Sequence, residues 1–159
     1  MNYANLGSIF EMRGMMDSAF VYYNYSMEHN RAAGSVVGIS LCHNHIGRLF
    51  EKKGQWDQAI REYRNAYDLM VADNDLYHWL ESCLALARVN IYKGDLRMAE
   101  AFLEHAEGAA KGDGGRGSIC RACIIWITCV MRSWVIIRMP STLIHQVSLM
   151  LIACEILRI

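Results

Sequence analysis

Large apolar residues recur along this chain at helical spacing, and three stretches carry them in the same register. Leu6-Gly7, Phe10, Gly14, Met16, Ala19 and Tyr23 are matched 40 residues later by Ile46-Gly47, Phe50, Gly54, Trp56, Ala59 and Tyr63. A third copy follows at the same interval as Leu86-Ala87, Gly94, Leu96, Ala99 and Leu103, with Asn90 in place of the aromatic residue. The spacing predicts helices over residues 1–13, 16–30, 36–53, 56–72, 75–93 and 96–111. Gly14, Gly54 and Gly94 end the first helix of each copy, because glycine adopts the left-handed conformation without steric cost. Asp17 and Asp57 lie in the first turns of second helices, where the helix dipole favours acids, and Asp95 is placed to cap the last one.

Nothing between these helices alternates as a strand does, and the only proline is Pro140. Each unit is therefore a helix, a tight turn and a second helix. Small residues at Gly7, Gly47 and Ala87, and at Ala19, Ala59 and Ala99, mark where helix backbones approach closely. One such pair cannot bury both of its faces, so stacked neighbours complete the core.

The pattern resembles the tetratricopeptide repeat (TPR) family, most clearly in the second copy, HIGRLFEKKGQWDQAIREYRNAY. The resemblance implies an all-α solenoid of antiparallel helix pairs with three repeats, at about residues 1–34, 35–74 and 75–111, and an irregular or partly helical C-terminal tail. The family unit is about 34 residues. A unit of 40 requires longer helices or longer connections and resembles the arrays of bacterial signalling and regulatory proteins, in the style of gut Bacteroidetes. In this family the first helix of each pair lines a concave groove that holds a protein or peptide. Carried over by position, the groove residues are Ser8, Glu11, Met12, Asn44, Arg48, Glu51, Lys52, Arg88 and Tyr92. Arg48 and Arg88 are one repeat apart, and two guanidinium forks side by side suit a partner carboxylate. The competing expectation pairs these arginines with Glu51 or Glu81. The peptide-carboxylate clamp of the family is not reproduced, since Ala4 and Leu84 stand where polar residues would be needed.

Residues 112–118, GDGGRGS, read as a flexible Gly-rich loop. Beyond them, residues 119–159 hold ten Ile and four Cys but no Tyr, and the repeat signature is absent. A membrane span there is opposed by Arg132 and Arg138 in the first apolar stretch and by Pro140, His145 and Gln146 in the second. A different origin is a fourth repeat translated out of frame. The repeat calls for glycine at the position of Trp134 and alanine at that of Met139. The codons of Trp134-Val135 contain GGT, and those of Met139-Pro140 contain GCC, in one shifted frame. Trp126-Ile127 fits less well, because that frame forces an aspartate there.

Net charge is zero, which gives no global field for nucleic acid. Residues 1–118 hold twelve Lys and Arg against fifteen Asp and Glu, while the tail holds four Arg and one acid. No basic segment followed by a long apolar run opens the chain, so the expected location is the cytoplasm, with Cys42 and Cys83 as buried reduced thiols. Cys120 and Cys123 have the C-x-x-C spacing of zinc and redox sites, but a four-ligand set is not completed. Cys42, His43 and His45 are one or two residues apart on a helix and do not converge on one ion. Lys52-Lys53 reads as a solvated helix end. No catalytic, metal or cofactor set emerges. The expected function is a non-catalytic scaffold, a fragment of a larger bacterial regulator that binds a protein or peptide. The alternatives are self-association through uncapped ends and, from another class, a metal- or thiol-dependent enzyme built on the tail cysteines.

Overall fold

The computed structural model describes residues 2–112 as six helices in chain order. These are α1 (Tyr3–Met12), α2 (Met16–Ala32), α3 (Val36–Lys52), α4 (Trp56–Asp73), α5 (Leu76–Lys93) and α6 (Leu96–Gly112). The expected tail, its C-x-x-C cysteines and the shifted fourth repeat lie outside the described residues. Each helix packs on the next, and α3 also packs on α5, the pattern of an all-α solenoid of helix pairs. The 40-residue unit arises from long helices of 17 or 18 residues rather than long connections. Segments 33–35 and 74–75 suffice to join one pair to the next.

The helix ends follow local chemistry. Asn2, Ser35 and Asp75 cap α1, α3 and α5 by accepting from Ala4 N, Gly38 N and His78 N. Asp95 likewise accepts from Met98 N. Gly14, Gly34, Gly54 and Gly94 take positive φ just after a helix, and Asn74 takes the same turn at φ 57°. The sequence pattern pointed to three of these turns. Gly34 and Asn74 escaped it because they close second helices, where the three copies differ.

The core runs along the stack. Ala19, Tyr23 and Met27 of α2 pack with Cys42, Ile46 and Leu49 of α3, and Ala59 and Tyr63 of α4 pack with Ala85, Leu86 and Val89 of α5. Gly7 and Gly47 face aromatic rings. A Cβ on Gly7 would lie 2.5 Å from the Tyr23 ring, and one on Gly47 would lie 2.8 Å from the Tyr63 ring. Their smallness therefore admits a tyrosine between the two helices of a pair, a role different from the simple backbone contact expected. The third unit substitutes both partners, with Ala87 and Leu103 fully buried.

Candidate functional site

The first helices α1, α3 and α5 bring six of the expected groove residues, Ser8, Glu11, Arg48, Glu51, Lys52 and Arg88, into one repeating network. Glu11 on α1 is only 5% exposed. Its carboxylate accepts from Arg48 Nε at 2.8 Å, Arg48 Nη2 at 2.8 Å and the Tyr23 hydroxyl at 2.7 Å, and it pairs with Lys52 Nζ at 2.7 Å. Tyr23 spends its only proton on Glu11, so Ser8 Oγ, 3.2 Å away, donates to it. The next unit repeats the motif. Glu51 accepts from Arg88 Nε at 2.8 Å, Arg88 Nη2 at 3.0 Å and the Tyr63 hydroxyl at 2.6 Å.

The motif is thus a glutamate, a tyrosine 12 residues later and an arginine 37 residues later, the last one from the following repeat. It clips α1 to α3 and α3 to α5. Arg88 turns back to Glu51 as Arg48 does to Glu11. Each guanidinium commits its Nε–Nη2 edge to a glutamate, so the partner of a two-pronged fork is internal. Nη1 of each makes no hydrogen bond among the described residues.

Burial alone would raise the Glu11 carboxyl, but the hydrogen bonds from Arg48, Lys52 and Tyr23 outweigh it and hold it at about 2. Arg48 is raised mainly by its bond to Glu11. Burial opposes the charge of Arg88, yet Glu51 raises it on balance. Burial pushes both tyrosines up, and their glutamates add to that. His45 stacks on the Tyr23 ring, with centroids 4.8 Å apart, and burial followed by Arg48 lowers it to about 4. It is neutral at physiological pH, so its Nδ1 accepts from Arg48 Nη2 at 3.1 Å.

The other expected residues have distinct placements. Asn44 is buried and exchanges hydrogen bonds with Ser82 of α5. Tyr92 stacks on Trp56 at 5.6 Å. Met12 is 79% exposed. The side chains of Arg48, Lys52 and Arg88 remain 41%, 45% and 36% exposed, so the α3–α5 surface keeps a half-open basic stripe. Lys52-Lys53 is more than a solvated helix end, because Lys53 also reaches Asp17 at 2.7 Å. That pair recurs as Lys93 to Asp57 at 2.6 Å.

Next to His45 lies a cleft of about 480 Å³, walled by Tyr3, Ala4, Ser26, Asn30, Leu41 and Cys42 among others. Tyr3 opens α1, whereas its counterpart one repeat on, His43, lies well inside α3. In the second unit Val36–Leu41 cover the end of α4, with Ser40 Oγ bonded to Ala66 O at 3.2 Å. The end of α2 has no such cover among the described residues.

Chemistry of other kinds finds little support in these helices. His43 turns to Glu62 at 2.7 Å, away from His45. Among the described residues no three His, Cys, Asp or Glu side chains are grouped to hold a metal. Burial pushes the Cys83 thiol up to about 12, which disfavours the reactive thiolate. No helix of the described residues is long and apolar enough to cross a membrane.

Residues 42–77, from within α3 through α4 into α5, match the tetratricopeptide repeat family model. That match supports a TPR family and, with it, the role of a protein-interaction scaffold. No curated protein matches this chain.

The glutamates and arginines of the network were visible as groove positions, but their mutual pairing was not. The signal was present in the 40-residue ruler, since Glu11/Glu51, Tyr23/Tyr63 and Arg48/Arg88 all keep step. Tyr23 and Tyr63 had signalled only packing, and nothing in their local sequence marks the hydroxyl as a donor to a glutamate.

Proposed function

We propose that this chain is a non-catalytic TPR scaffold that holds an acidic peptide or protein segment across α1, α3 and α5, within a larger bacterial sensory or regulatory protein of the long-repeat variety. Its repeat units are read at about 1–34, 35–74 and 75–111. The observation that carries the reading is the half-open stripe of Arg48, Lys52 and Arg88. The Glu11 site holds one carboxylate against two cations, so its balance is positive. A ligand carboxylate or carbonyl meets Arg48 Nη1 and Lys52 at single points. Charge-assisted hydrogen bonds of this kind supply orientation as well as affinity.

Panning a displayed library of random decapeptides tests this. The full chain should enrich acidic sequences, and Lys52→Glu should lose them. Enrichment of the same peptides by both proteins, or of none by the full chain, would sink the proposal.

A further inference from the structure

The junction between the second and third units holds a pocket of about 300 Å³, lined by Tyr67, Met70 and Val71 of α4, Leu76 and Trp79 of α5 and Ala109 of α6. It lies inside the stack, between helices of two successive units. The repeat shows what it lacks. Ala109 is the counterpart of Leu69, so α6 offers a methyl where α4 offers an isobutyl group. Val71 is the counterpart of Arg31, so the rim is apolar where the preceding unit is charged. Tyr67 and Trp79, with ring centroids 5.5 Å apart, give the pocket an aromatic wall, and Val71 stays 55% exposed. Apolar surface left in water in this way favours a side chain that covers it.

The chain itself passes the edge of this pocket. α6 ends at Gly112, just beyond Ala109, and the sequence runs on to Ile159. The first apolar run past that point is residues 122–131, ACIIWITCVM, set between Arg121 and Arg132. Residues 113–123 can span at most about 40 Å, far more than a return to Ala109 requires. The glycines of 112–118 accept the backbone angles of a reversal. Charge agrees with such a return. Residues 1–118 hold twelve Lys and Arg against fifteen Asp and Glu, and residues 119–159 hold four Arg against one acid. Asp73, next in sequence to the pocket residue Asn74, is exposed and has no ion-pair partner among the described residues.

We propose that residues 122–131 of this chain return to the junction of α4, α5 and α6 and seat one of their isoleucines in the pocket, with Arg121 or Arg132 turned to Asp73. A tethered segment acts at an effective concentration of about a millimolar, whereas a free partner acts only at its solution concentration. The same reasoning favours a chain's own run over that of a second copy. The pocket residues are distinct from Arg48, Lys52 and Arg88, so failure of either proposal leaves the other standing.

Cys123 and Cys129 bracket the isoleucines and serve as reporters. In the full chain carrying Val71→Cys, mild oxidation should join residue 71 to Cys123 or Cys129, read by mass spectrometry of the linked peptides. The link should form at least about tenfold faster than in a chain carrying Glu28→Cys, an exposed position of the first unit, because docking raises the local thiol concentration. Adding Ala109→Leu, which restores the side chain of the preceding unit, should fill the pocket and bring the rate down to that at residue 28. Asp73→Arg leaves the pocket intact and should slow the link about two- to fivefold, the scale of an exposed ion pair. That surface variant decides the matter if Ala109→Leu disturbs the fold. Equal rates at residues 28 and 71, a rate at residue 71 indifferent to Asp73→Arg and to a folded Ala109→Leu chain, or links only between two chains would overturn the proposal.

Discussion

Replacing Glu11 by glutamine removes a charge and almost no volume, and it tests whether the inter-repeat clip stabilises the fold. The carboxyl is held at about 2, against an ordinary value of 4.5. A depression of that size corresponds to about 3 kcal/mol at neutral pH. Arg48 and Lys52 are nearly half exposed and screened by solvent, which reduces the expected cost of Glu11→Gln to about 2 kcal/mol. In a chain of this size such a loss lowers Tm by roughly 6–9 °C. The sign of the pH dependence follows from the direction of the shift. A carboxylate with a depressed folded-state value stabilises above about pH 4.5, and that stabilisation is lost as pH falls towards 2. Urea melts followed by circular dichroism at 222 nm, taken from pH 7 to pH 2, should show the two proteins far apart at neutral pH and converging in acid. Parallel pH profiles would mean that Glu11 is not held as an ion in the folded protein.

Further substitutions probe the packing and the surface charge. Gly47→Ala pushes a methyl into the Tyr63 ring and should cost about 1–3 kcal/mol in urea melts. Adding Tyr63→Leu should recover part of it, as the buried Ala87 and Leu103 pair of the third unit does naturally; two independent losses would refute the ring contact. Ala59→Trp overpacks a fully buried helix crossing and should also cost about 1–3 kcal/mol or more, and a change below experimental error would show that Ala59 does not sit there. Lys93→Met removes an exposed pair with Asp57 and should leave stability nearly unchanged, with any difference vanishing in high salt. A larger, salt-independent loss would show that the pair carries more than surface charge.

The sequence by itself determined the helices, their order and their pairing. A 3.6-residue apolar period, glycine stops and a 40-residue self-match are local or periodic signals, and each survives in a single chain read end to end. Cys42 and Cys83 read as buried for the same reason, because they sit on the apolar stripe. The partner of each charged residue was a different matter. Arg48 could reach for Glu51 on its own helix or for Glu11 in the unit before, and sequence distance does not choose between them. Stacking chose Glu11, because the α1–α3 approach brings the guanidinium edge onto a carboxylate already aimed by Tyr23. The cleft beside His45 is likewise a property of stacking, because periodicity records only what each helix presents, not what covers it.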